Sequence, residues 1–178
     1  MQVSFFKGGI KNTTPTKHAP IVGILEAIKN GFWKKEIETL RLCSHNEFDE
    51  LKKTLPYFTA SGTFSQRKDE ALIAHSGLIQ IDIDKLTDAQ IEDISARVIT
   101  DPYIYASFLS PSGRGLKMLV KILPKPESQL YAFCQLTGYF LGKYQVKIDQ
   151  NVKALSMPFY VSYDPMLYLN PNSQLWII

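Results

Sequence analysis

Cysteine is scarce in this 178-residue sequence. Only Cys43 and Cys134 occur, which excludes a disulfide framework and a cysteine-based zinc pattern. A strong excess of one charge is missing too. There are 20 Lys+Arg against 17 Asp+Glu, a formal net charge of +3, so any field attractive to nucleic acid has to come from a local patch. No apolar run is long enough to span a bilayer. The stretch Met1-Gln2-Val3-Ser4-Phe5-Phe6-Lys7 lacks the layout of a signal peptide. A cytoplasmic protein without a membrane partner is the expectation. Repeats and low-complexity segments are absent. What is present is a globular mixture, 45% hydrophobic and 21% charged, which excludes disorder. The length suits one domain, or two small modules sharing a core.

Hydrophobic spacing and punctuation place the elements. Val3–Lys7 reads as a short strand. Ile21, Ile24, Leu25 and Ile28 share one side of a helix over Ile21–Lys29, which Asn30-Gly31 ends. Phe32–Leu42 is a second helix. Ser44 opens a third, with Glu47 completing a capping box and Pro56 stopping it. Tyr57–Ser65 is extended or a hairpin. From His75 onward the order is strand Leu78–Asp84, a helix capped by Thr87 and running to about Val98, strand Tyr103–Leu109, connector Ser110–Gly115, strand Leu116–Ile122, helix Ser128–Lys143 and strand Phe159–Tyr163. Ser128–Lys143 is apolar on most faces, which predicts a buried helix with Cys134 in the core.

The predicted fold class is therefore α+β. A ferredoxin/RRM-like β-α-β-β-α-β core over residues 71–178 is preceded by a small helical α/β module over 1–70, together one compact unit. Right-handed crossovers make the strands Leu78–Asp84 and Tyr103–Leu109 parallel, with Leu116–Ile122 between them. The fourth strand, Phe159–Tyr163, is expected beside the first. Three distant segments then meet at one end of the sheet: Asp82/Asp84, Gly113–Lys117 and Asp149–Pro158. Alternation puts Ile79, Ile81 and Ile83 on a helix-covered face. Leu78, Gln80, Asp82, Asp84, Lys117, Leu119 and Lys121 are expected on the opposite, open face.

Asp82-Ile83-Asp84 carries two carboxylates on one side of a strand end, and Asp149 is a third arriving from elsewhere. Such oxygen ligands suit Mg²⁺ or Mn²⁺ and a two-metal phosphoryl-transfer site. Taken alone, Asp-x-Asp is better explained by an ordinary strand end that solvates a turn; shared face and convergence reverse that and favour the site. In Ser110–Lys117 the hydroxyls of Ser110 and Ser112, the flexible Gly113 and Gly115, and the charges of Arg114 and Lys117 suit a nucleotide's phosphates. An ordinary hairpin turn uses Ser and Gly as well. Arg67, Lys68 and Lys121 are weaker candidates for a nucleic-acid rim, with a solvated loop the plainer account of the first two. Tyr103 and Tyr105 suit base stacking or packing equally. His18, His45 and His75 have no metal-ligand spacing.

Leu78–Asp84, Ser112–Lys117 and Ile148-Asp149 resemble, in order and spacing, the three motifs of archaeo-eukaryotic primases and primase-polymerases. More closely, Leu55–Lys85 (LPYFTASGTFSQRKDEALIAHSGLIQIDIDK), Ser110–Lys117 and Tyr160–Pro171 (YVSYDPMLYLNP) resemble the VirE-type N-terminal domain. That domain precedes helicase-like domains in proteins of Bacteroidetes and their mobile elements. The resemblance implies divalent metal on Asp82, Asp84 and Asp149, nucleoside triphosphate on the Ser112–Lys117 loop, DNA or RNA as a partner, and a helicase-like domain in cis or trans. The chain departs from those primases at Lys117, where they usually carry His, and at Ser156-Met157-Pro158, where an Arg is frequent. Lysine pairs with phosphate as a point charge without imidazole's acid–base behaviour. Two functions follow as expectations: a primase-polymerase-like domain that binds metal and nucleotide in the replication of mobile elements, or a non-catalytic module that binds nucleotide or nucleic acid and positions a helicase. A metal-dependent nuclease or phosphatase is a third and weaker expectation, since no general base for water is evident.

Overall fold

A computed structural model describes residues 1–177; Ile178 and the side chain of His45, a position the sequence assigned no role, lie outside the described residues. The architecture is mixed α+β, as expected. One four-stranded sheet has the order β2 (Lys17–Pro20), β1 (Gln2–Phe6), β3 (Tyr57–Thr59), β9 (Phe159–Tyr160). In a second sheet, β8 (Gly115–Ile122) is central, with β6 (Leu78–Asp84) and β7 (Ile104–Leu109) both antiparallel to it. The last two are therefore parallel to each other, as the crossover argument requires. β10 (Tyr168–Leu169) extends this sheet beyond β7, and β11 (Leu175–Trp176) runs parallel to the end of β8. A small hairpin pairs β4 (Gly62–Phe64) with β5 (Leu72–His75). The boundary expected at residue 70 falls inside that hairpin.

Alternation along β6 and β8 sets the two cores. Ile79, Ile81, Ile83, Leu116, Met118, Val120 and Ile122 pack under α4 (Asp88–Val98) and α5 (Ser128–Tyr144). Thr87 caps α4 through a capping box with Gln90, and Ser44 does the same for α3 (His45–Thr54) with Glu47. The opposite face of the sheet is not open. Leu78, Tyr105, Phe108 and Leu119 bury against Phe5, α1 (Ile21–Lys29), α2 (Lys34–Leu42) and Phe58, so one core runs from Val3 to Leu167. The reason is apolar area: leaving these four side chains in water forfeits about 1.5–3 kcal/mol each. Tyr105 is thereby a core residue. Its burial leaves it no face for a base, whereas Tyr103 is half-buried and packs edge-on against Tyr139 and Trp176.

Two further expectations are corrected. The fourth strand does not lie beside β6: β9 pairs antiparallel with β3, Tyr57 opposite Tyr160 and Phe58 opposite Phe159. Ring packing accounts for this, since Phe159 meets Phe58 at 5.3 Å and Phe108 at 5.7 Å between centroids. Helix α5 is not buried all round. Leu130, Tyr131, Cys134 and Leu141 are exposed, because only its Ala132/Phe133/Leu136/Phe140 side faces the sheet. Among the described residues, no helix is long and apolar enough to cross a membrane.

Candidate functional site

The carboxyl end of β6, the loop between β7 and β8, and the segment after α5 meet. Asp82 pairs with Lys117 across the β6–β8 ladder, and the Asp149 amide donates to the Asp82 carbonyl at 2.8 Å. With the fourth strand elsewhere, this bond is how the Asp149 segment reaches the outer edge of β6. Gly115 lets the two strands close up here. A Cβ on it would lie 2.4 Å from the Ile83 carbonyl oxygen, inside any tolerable contact.

Between β7 and β8 the chain makes a tight turn held by its own bonds. The Gly113 amide donates to the Ser110 carbonyl at 2.9 Å, the Ser110 amide to the Gly115 carbonyl at 2.9 Å, and the Ser110 and Ser112 hydroxyls bond each other at 3.0 Å. Gly113 takes φ +71°, a left-handed conformation that suits glycine. Arg41, on α2, fastens this turn from outside. Its guanidinium donates to the carbonyls of Pro111 (3.2 Å), Ser110 (3.2 Å) and Tyr163 (3.0 Å). Burial lowers the Arg41 pKa, opposed by Asp164, Glu38 and Tyr163.

Asp82 and Lys117 form the innermost part of the site. Lys117 Nζ donates to both carboxylate oxygens of Asp82 at 2.7 Å. The side chains are 7% (Lys117) and 13% (Asp82) exposed, so water screens the pair little. The same ammonium lies 4.3 Å from the centre of the Phe159 ring. Burial pushes the Asp82 carboxyl up from its ordinary value; Lys117 pulls it down, and Asp84 and Asp149 add to the rise.

These groups line a cavity of about 1370 Å³ that also receives Asp84, Asp149, Ser110, Ser112, Arg114 and Arg67. Gly113 and Gly115 shape its wall without lining it. Lys68 and Lys121 are outside: Lys68 is exposed elsewhere, and Lys121 donates to the carbonyls of Pro171 (2.7 Å) and Ser173 (3.1 Å) at the far end of β8. Arg67 donates to the Ile10 carbonyl at 3.1 Å and lies over the Tyr57 ring, while its Nε is buried with no hydrogen-bond partner among the described residues. Sequence reasoning missed Arg41, Lys52, Lys85 and Tyr160, which line the same cavity. Six basic side chains (Arg41, Lys52, Arg67, Lys85, Arg114, Lys117) face four acidic ones (Asp49, Asp82, Asp84, Asp149), so the lining favours an anion.

A divalent metal fits these residues poorly. Both Asp82 oxygens are taken by Lys117, and one Asp149 oxygen accepts from the Asn151 amide (3.0 Å) and its side-chain nitrogen (2.8 Å). Among the described residues, no group of three or more His, Cys, Asp or Glu side chains is placed to hold a metal ion.

A family model described as the BT4734-like N-terminal domain matches residues 50–169. No curated protein and no solved structure matches the chain. The matched span contains Arg67, Asp82, Asp84, the Ser110–Lys117 loop and Asp149 and leaves Arg41 outside.

Proposed function

The chain belongs to the BT4734-like N-terminal domain family, and from that premise and the geometry above we propose that its cavity binds the phosphates of a nucleotide or nucleic-acid strand. The module serves a helicase-like domain in cis or trans. The observation that carries this reading is the tied turn Ser110–Arg114 at the mouth of a cavity whose lining is basic in balance. A turn fixed by Arg41 and by its own amides holds Ser112 and Arg114 ready for an anion without reordering on binding. The resemblance to VirE-type and primase domains supports the same ligand class. Nucleotidyl transfer of the primase-polymerase kind is the second reading, and the placing of Asp84 and Asp149 in the same cavity favours it.

Polarisation of labelled ATP and of a labelled single-stranded oligonucleotide tests the binding reading. Arg114→Ala is expected to weaken at least one of the two ligands about tenfold, the loss of a charge-assisted phosphate contact. Unchanged binding of both in the variant contradicts it. Extension of a primed template that Asp84→Ala abolishes would instead establish the second reading.

A further inference from the structure

We propose that Lys117 is the cavity's own cation, and that the site takes its phosphate ligand without a divalent metal. The inference rests on the binding reading above and concerns how that site manages charge. In a metal-dependent phosphate site, the ion neutralises the carboxylates beneath it and presents positive charge to the ligand. Here an ammonium already does the first of these. Lys117 Nζ sits 2.7 Å from each oxygen of Asp82, the distance of a charge-assisted bond, and so occupies the position a bidentate ion would take.

The surroundings hold it there. The Phe159 ring lies 4.3 Å from Nζ, and Phe159 is itself fully buried between Phe58 and Phe108. Displacing the ammonium would strand a charge against an aromatic core. The remaining carboxylates do not make up the loss. Asp149 spends one oxygen on the Asn151 nitrogens, and Asp84 is exposed at the end of β6. The strand register is what enforces the pair: Asp82 stands directly opposite Lys117, so both side chains leave the same face of neighbouring strands.

Asp82 thus acts as the counterion of Lys117, which gives its removal the opposite sign from the loss of a metal ligand. Asp82→Asn is nearly isosteric and leaves Lys117 with a charge to offer the ligand. The experiment is polarisation of labelled ATP, in EDTA and in Mg²⁺ or Mn²⁺ at matched ionic strength, for the wild type and for Asp82→Asn. Wild-type affinity is expected to agree within about threefold across the buffers. Asp82→Asn in EDTA is expected to bind at least as tightly as wild type. Binding that requires metal and that Asp82→Asn abolishes overturns this inference while leaving the binding reading intact. Absence of ATP binding in every buffer overturns this inference, and the binding reading falls with it only where the labelled single-stranded oligonucleotide also fails to bind. Should Asp82→Asn melt below the assay temperature, the wild-type comparison of EDTA with metal decides alone.

Discussion

Lys117→Met is expected to destabilise the protein by about 3–5 kcal/mol, the cost of leaving a buried carboxylate without its partner. Methionine keeps the stem's length, so the loss reports the charge rather than a cavity. Denaturant unfolding at neutral pH measures it. The double variant Lys117→Met/Asp82→Asn is expected to recover most of the loss, because neither charge then remains buried. The pH dependence carries a definite sign. Burial already raises the Asp82 carboxyl, and removing Lys117 takes away the main influence that lowers it. A folded-state value above the unfolded one means that the folded state binds the proton more tightly. The deficit of Lys117→Met is therefore largest above the raised value and shrinks as the pH falls through it. A single variant within about 1 kcal/mol of wild type at neutral pH would show that the pair bears little on stability.

Arg41→Ala is the second large effect expected, and it separates positioning from ligand contact. Three carbonyls, those of Ser110, Pro111 and Tyr163, lose their donor together. Hydrogen bonds to charged groups are worth about 1.5–3 kcal/mol each; water reaches this half-buried site, so a total near 2 kcal/mol is expected. The functional effect follows from the turn. Gly113 lies against the guanidinium, where a Cβ would come 3.3 Å from Arg41 Nε, so the arginine is part of the turn's packing as well as its bonding. Without it, the Ser110–Arg114 segment is free to reorder, and ATP affinity is expected to fall about tenfold. Arg41→Lys restores charge but not the fork that spans three acceptors, so it should rescue only part of the affinity. Full affinity in Arg41→Ala, measured at a temperature where the variant is folded, would contradict this role.

The parts of the fold with strict periodicity were the legible ones. Isoleucines at 79, 81 and 83 announce β6, its buried face and its pairing with a central β8, and the crossover rule then brings Asp82, the Ser110–Lys117 loop and Asp149 to one end. The other face was harder. Leu78, Leu119 and Phe108 alternate with Asp82 and Lys117 on it, and a face of mixed character does not declare whether a second layer covers it. The partner of β9 had no local signal, since its two paired residues are placed by the packing of Phe159 on Phe58 and Phe108. Arg41 was invisible for a related reason. Nothing in the helical pattern of residues 34–42 marks one arginine as the donor to a turn some 70 positions further on. Asp82 and Lys117 were each picked out as site residues. Their strand register, read one step further, would have put the ammonium on the carboxylate.

The most direct test of the account is where a metal ion goes. With Asp carboxyl carbons and Lys side-chain nitrogens isotopically labelled, NMR can follow Asp82 and the Lys117 ammonium while Mn²⁺ is added below one equivalent. The expected result is that both signals stay sharp, and that Asp82→Asn shifts the Lys117 signal by removing its partner. Early and selective broadening of Asp82 by Mn²⁺ would mean that metal displaces the ammonium, and would contradict the assignment of Lys117 as the resident cation.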